Sequence, residues 1–246
     1  MQRGQGFKGF LNYVRRNPAF GAGIVLLLLL FLFSTVATLF IEKDGAYPLA
    51  AMPKQPPGGE YPFGTDSVGR DLLPTLVYGT QMTLAIGMIA GVIGLVVGTV
   101  LGFMTGYFGG IFDTVIKFLV DVLMTIPSFL LLVVIASSLP NPEEMTVITM
   151  GLTLSIVSWV QPTRAIRAQV LSMRERAFVM MSKLSGMSGM EIILRELMPN
   201  LMPYLAISLA GAVNGGVLGS LGLQTLGIGN LREPSLGMTI YWLRYY

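Results

Sequence analysis

The side chains with chemical potential gather in residues 164–200, a stretch with Arg164, Arg167 and Arg195 in which Arg174, Glu175, Arg176 and Lys183 ring the apolar run Phe178, Val179, Met180 and Met181. Charged groups ringing an apolar knob are equipped for recognition, a groove-filling centre with a polar rim, and not for making bonds. The rest of the chain agrees. With no Cys and no His it has no thiol nucleophile, no thiolate or imidazole metal ligand and no disulfide, and it lacks the commonest general base. No G-x-x-x-x-G-K-[ST] phosphate loop occurs, so ATP hydrolysis is not expected of this chain. No catalytic residue and no metal site are expected.

The elements that must position this stretch are membrane helices. Apolar residues make up 53% of the chain and charged residues 12%, with a mean hydropathy of +0.69, values that describe an integral membrane protein. A hydrocarbon core about 30 Å thick takes roughly 20 apolar residues per helical span. Such runs recur at about 20–41, 76–104, 115–137, 145–160 and 201–223, so five spans are expected. Residues 26–33 are continuously apolar, which excludes the alternation of a membrane β-barrel and predicts an all-α polytopic bundle. The first apolar run is too long for a signal-peptide core and reads as an uncleaved anchor.

Arg3, Lys8, Arg15 and Arg16 place residues 1–19 in the cytoplasm, and the basic stretch 161–200 returns there after the fourth span. The connection 42–75 then lies outside, its Lys43, Lys54 and Arg70 outnumbered by Glu42, Asp44, Glu60, Asp66 and Asp71. The net charge of +3 follows from this retention bias and from attraction to anionic lipid, and implies no nucleic-acid partner. Pro53, Pro56, Pro57, Gly58, Gly59 and Pro62 make the outer connection an irregular cap. At its end Asp66 or Asp71 is placed to pair with Arg70 or to cap the next helix.

Gly87, Gly91, Gly94, Gly98, Gly102 and Gly106 form a stripe along the second span, and Gly211, Gly215 and Gly219 repeat the device in the fifth. Such stripes let helix backbones approach closely, or provide a track on which helices slide. Asp121 is placed to pair with Lys117 one turn earlier, and Pro127 kinks the third span and frees a carbonyl; both are structural or gating candidates. Ser128, Ser155, Ser158, Ser208 and Asn214 are neutral polar groups able to line a hydrophilic path or to join helices.

Residues 161–184 read as one helix, Ser185-Gly186 as a break, and residues 188–197 as a second short helix stopped by Pro199. The apolar knob then docks into a partner's groove, or the helix lies in the headgroup plane with that side in lipid. The spans lack the midplane carboxylates usual in ion-coupled carriers, which favours coupling to an external motor. A passive or secondary carrier and a non-transporting scaffold are the alternatives.

Several segments carry a family likeness. Phe63-Gly64-Thr65-Asp66 with Gly69-Arg70-Asp71, Tyr78-Gly79, Gly106-Tyr107-Phe108-Gly109-Gly110 with Asp113, Asp121 with Pro127, and Trp159 with Arg164 and Arg167 follow one another in a familiar order. In that order and spacing the chain resembles the inner-membrane permeases of ABC importers, specifically the second permease subunit of the dipeptide, oligopeptide and nickel branch. The segment from Leu171-Ser172 to Pro199-Asn200 is similar to the cytoplasmic coupling loop that docks into the ATPase in that family. The resemblance implies Arg174, Glu175, Arg176, Phe178, Val179, Met180, Met181, Ser182, Lys183 and Gly186 as docking residues. It implies a homologous permease subunit, two ATPase subunits holding ATP and Mg2+, and an extracytoplasmic solute-binding protein as partners, in the plasma (inner) membrane of a prokaryote. Peptides lead as solute, with nickel chelates and oligosaccharides as alternatives. Two departures stand out: Met180-Met181-Ser182 replace the Glu-Ala-Ala of the family, and the chain stops at Tyr245-Tyr246 where the family continues into a further span, so truncation is expected.

Overall fold

The computed structural model describes residues 18–244, so the basic residues Arg3, Lys8, Arg15 and Arg16 and the final Tyr245 and Tyr246 lie outside the described residues. The chain forms two compact units, residues 1–81 and 82–246. The described part is helical, with no strand beyond isolated bridges at Gly58 with Tyr61 and Thr65 with Asp71.

The first unit includes α1, described over Pro18–Val36. Val25, Leu26, Leu28, Leu29 and Phe31 are all exposed, as suits a helix surrounded by lipid. Two short 3-10 turns, Ala37–Leu39 and Lys43–Ala46, lead into the irregular cap. Thr65 organises it: its hydroxyl donates to the Met52 carbonyl at 2.6 Å and accepts from the Gln55 N–H at 2.8 Å. Asp66 accepts the backbone N–H groups of Val68 and Arg70 and the Nε–H of Arg70 at 2.7 Å. Arg70 is 0% exposed, and its Nη1 and Nη2 have no hydrogen-bond partner among the described residues. Asp71 accepts the N–H of Leu73 at 3.0 Å and so caps α2 (Leu72–Phe108); burial nevertheless pushes its carboxyl above the ordinary carboxylate value. Both roles offered to this loop are thus filled, pairing by Asp66 and capping by Asp71. At the start of α2, Tyr78 donates to the Ile41 carbonyl and Gln81 to that of Ser34, tying the helix to the end of α1.

In the second unit α2 continues to Phe108 and the chain reverses at Gly109-Gly110, whose φ values of +69° and +70° suit glycine alone. The third span, expected to be kinked at Pro127, is two helices, α3 (Gly110–Thr125) and α4 (Ser128–Ser137), bent by 90° at Ile126-Pro127. Proline forces its predecessor out of the helical region, and Ile126 accordingly has ψ 129°, so the site is a break and not a kink. Then come α5 (Val147–Ser158), α6 (Val160–Arg174), α7 (Ala177–Leu184) and α8 (Gly189–Ile192). A wide π turn, Ile193–Leu197, joins α8 to α9 (Met198–Thr225), and α10 (Leu236–Leu243) follows.

By length and composition, α2 and the run Gly189–Thr225 each qualify as a membrane span, the bent pair α3 and α4 makes a third, and α5 is apolar but short. Two sequence expectations are corrected here. Residues 161–184 are two helices broken at Glu175-Arg176, and Pro199 does not stop the second short helix. The π turn immediately before Pro199 loosens the i to i−4 ladder where the proline lacks its N–H, so the helix passes through.

Two apolar cores stabilise this unit. One gathers Ile86, Ala90, Leu132, Met150, Leu154 and Leu223; the other gathers Phe103, Ile166, Val170, Val179, Ile192 and Leu197. The α2 glycines make the close approaches the stripe predicts: Gly91 faces Val213, Gly94 faces Ser158, Gly98 faces Pro162, Gly102 faces Ile166 and Gly106 faces Val170. The α9 stripe repeats the device only at Gly219, which faces Leu154; Gly211 and Gly215 face open space, and it is Gly216 that meets Gly87.

Candidate functional site

The bend at Ile126-Pro127 points the start of α4 toward α9, and a cavity of about 480 Å3 opens between α4, α5, α6 and α9. Ser128, Ser158 and Ser208 line it, together with Gln161, Pro162, Gly211 and Gly215. Ser155 and Asn214 do not; Ser155 instead donates to the Leu152 carbonyl of its own helix. Ser158 likewise donates to the Leu154 carbonyl at 2.7 Å. Ser128, Ser208 and Gln161 make no side-chain hydrogen bond among the described residues and leave their polar groups available. The lining is otherwise apolar and small, with no charged side chain, so it offers neutral hydrogen bonding and space.

Beside the cavity α3 and α6 are tied by an ion pair. Arg167 grips Asp113 through both forks, Nε to Oδ1 at 2.5 Å and Nη2 to Oδ2 at 2.6 Å. This bond holds the Arg167 pKa above the ordinary guanidinium value. The expected pair of Lys117 with Asp121 is absent among the described residues; both are exposed on α3, and the carboxylate that finds a cation is Asp113, one helical turn before Lys117. Arg164 reaches across to the Met124 sulfur at 3.2 Å.

The residues expected at a docking surface sit on and around α7, and they face two ways. Phe178, Met180 and Met181 point outward, Met181 being 63% exposed, and Leu184 joins them at 83%. Val179 and Ser182, also expected to dock, face inward, at 0% and 9% exposure. An i, i+3 spacing on one side of a helix puts both in the core, so they anchor the surface instead of forming it. Around this face Arg174 pairs with Glu175 at 3.0 Å, Arg176 stands at the start of α7, Lys183 is exposed, and Gly186 ends the segment with φ +79°. Ser188 caps α8 by accepting the Glu191 N–H.

Residues 98–241, which hold α3 to α9 and so both the cavity and the α7 surface, match the family described as binding-protein-dependent transport system inner membrane component. The chain belongs to this family. A Brucella abortus protein named as a peptide transport system permease is 33% identical over 87% of this permease and 71% of its own length. The oligopeptide transport system permease protein OppC of Mycobacterium tuberculosis is 32% identical over 91% and 76%, and the dipeptide transport system permease protein DppC of Bacillus subtilis 29% identical over 88% and 66%.

Several cavity residues of the permease escape a reading of its sequence. Gln161, Pro162 and Ala165 fall in what reads as a surface helix, and only the packing of α6 against α2 brings one face of it to the cavity. The stripe of Gly211 and Gly215 signals close packing, whereas the structure leaves it bare.

Proposed function

We propose that this permease is a non-catalytic transmembrane subunit of an ATP-driven importer of peptides. It forms half of a translocation path and passes movements of ATPase partners to that path. The observation that carries this reading is the division of α7, with Phe178, Met180, Met181 and Leu184 outward and Val179 and Ser182 locked in the core. An eight-residue helix anchored on one side and apolar on the other is built to fit a groove and to move with its own protein. Methionine in place of the usual carboxylate makes that contact apolar and adaptable.

On this reading residues 161–200 face the cytoplasm, where the basic residues retain them, and residue 1 lies on the same side. ATP and Mg2+ belong to two ATPase subunits. A homologous permease supplies the other half of the path, and an extracytoplasmic binding protein delivers the solute. The cavity beside Ser128, Ser158 and Ser208 supports the assignment of the path, since its neutral groups can exchange hydrogen bonds with a peptide backbone without holding any side chain tightly. The names of the relatives favour peptides over nickel chelates or oligosaccharides. Asp121 and Pro127 belong to the moving part, with the break at Pro127 as the joint between α3 and α4.

Replacing Phe178 by Asp places a charge in the apolar centre of the docking face. We expect ATP-dependent uptake of peptides by the reconstituted assembly to fall about tenfold or more while the permease stays folded. Unchanged uptake and unchanged association with the ATPase would overturn the docking assignment.

A further inference from the structure

The segment around the docking helix meets the end of α2. Three points of the segment around α7 converge there. Before α7, Arg174 donates to the Gly106 carbonyl at 3.2 Å. Within α7, the Lys183 ammonium stands 5.6 Å from the centre of the Tyr107 ring. After α7, Gly189 passes so close to the rings that a Cβ there would come within 2.8 Å of Phe108 Cε1 and 2.9 Å of Tyr107 Cε1. The two rings brace each other edge to face, 5.1 Å apart at 86°. Behind them, Tyr107 packs on the core that holds Val179, Phe103, Ile166 and Val170.

We infer that the Tyr107–Phe108 ring pair is the positioning contact through which movement of the docking helix enters the membrane bundle, a reading that rests on the docking role proposed for α7. A packed interior hardly compresses, so displacement of α7 displaces whatever it is packed on. Arg174, Lys183 and Gly189 hold the segment against the end of α2 before, within and after α7, so a displacement of α7 bears on the rings. From the rings the movement passes two ways. It runs up α2, whose Gly102 and Gly106 abut Ile166 and Val170 of α6, and across the Gly109-Gly110 reversal into α3, which Asp113 ties to Arg167. The ends of α2 and α6 therefore travel as one body, and the break at Pro127 lies beyond it.

The test uses the complete assembly in proteoliposomes and a radiolabelled casein-hydrolysate peptide pool. For Tyr107→Ala with Phe108→Ala we expect ATPase subunits to co-purify as in the parent and uptake to fall about tenfold, with loss of the stimulation of ATP hydrolysis by the loaded binding protein. If that variant does not fold, Tyr107→Leu with Phe108→Leu keeps apolar volume and carries the same expectation. Uptake within about twofold of the parent in the folded variant overturns the inference. Phe178→Asp separates the two levels. If it leaves association and uptake intact, the docking reading fails and this inference falls with it. If it acts while the ring variants do not, only the inference falls.

Discussion

Glycines recur at steps of three or four residues on α2 and of four on α9, yet most of their surroundings differ. On α2 every member from Gly87 to Gly106 faces atoms that would collide with a Cβ, whereas on α9 Gly211 and Gly215 have nothing within 4 Å of that position and only Gly219 meets a side chain, Leu154 Cδ2 at 3.1 Å. The same pattern therefore does two things. On α2 the missing side chains admit neighbouring backbone, and dispersion contacts hold the bundle together. On α9 they keep a wall of the cavity clear. Spacing reveals where a helix is thin; it does not reveal what occupies the space.

The strongest challenge to this contrast is bulk on the covered stripe. A Cβ on Gly91 would lie 2.6 Å from the Val213 nitrogen and 2.7 Å from its Cα, atoms that cannot swing aside. Gly91→Leu should cost at or beyond the upper end of the roughly 1–3 kcal/mol typical of overpacking and yield little folded protein. Size-exclusion profiles of the detergent-solubilised chain read this directly. A monodisperse Gly91→Leu peak with the parent thermal midpoint would show that α2 and α9 do not approach as described.

The same leucine on the bare stripe should leave the fold alone and act on transport. Gly215→Leu projects into the cavity, so the thermal midpoint should stay within about 2 °C of the parent while peptide uptake falls about tenfold. Parent-like uptake would separate the cavity from the path, and a collapsed fold would mean that α9 is covered after all.

How far the sequence speaks for this contrast depends on whether a signal is local. The apolar runs, the α2 stripe, the pairing of Asp66 with Arg70 and the capping by Asp71 are legible because each follows from one segment and short-range geometry. The bend at Pro127 is legible as a place but not as an angle, since a proline removes one hydrogen bond and packing decides how far the helices then turn. The pair expected at Lys117 and Asp121 is an intrahelical guess displaced by a tertiary contact, Arg167 reaching Asp113 from another helix. Val179 and Ser182 sit among outward residues in the chain, and only the position of α7 over the second core shows that they turn inward. Gln161 and Pro162 carry no mark of the cavity they line, because that cavity is made by four helices at once.

The smallest substitution is the sharpest comparison, because its sign should reverse between the two stripes. Alanine in a helix is better than glycine by at most about 1 kcal/mol, through the freedom glycine loses on folding, provided that the added methyl meets nothing. At Gly211 it meets nothing, so Gly211→Ala should raise the thermal midpoint of the isolated chain by up to about 2–4 °C and leave uptake within about twofold of the parent. At Gly91 the same methyl meets the Val213 backbone, so Gly91→Ala should lower the midpoint. Loss of stability at both sites would mean that the α9 face is as tightly covered as the α2 face. If Gly211→Ala is stabilising in the isolated chain but destabilising in the full assembly, the cover belongs to a partner subunit and α9 lies against it.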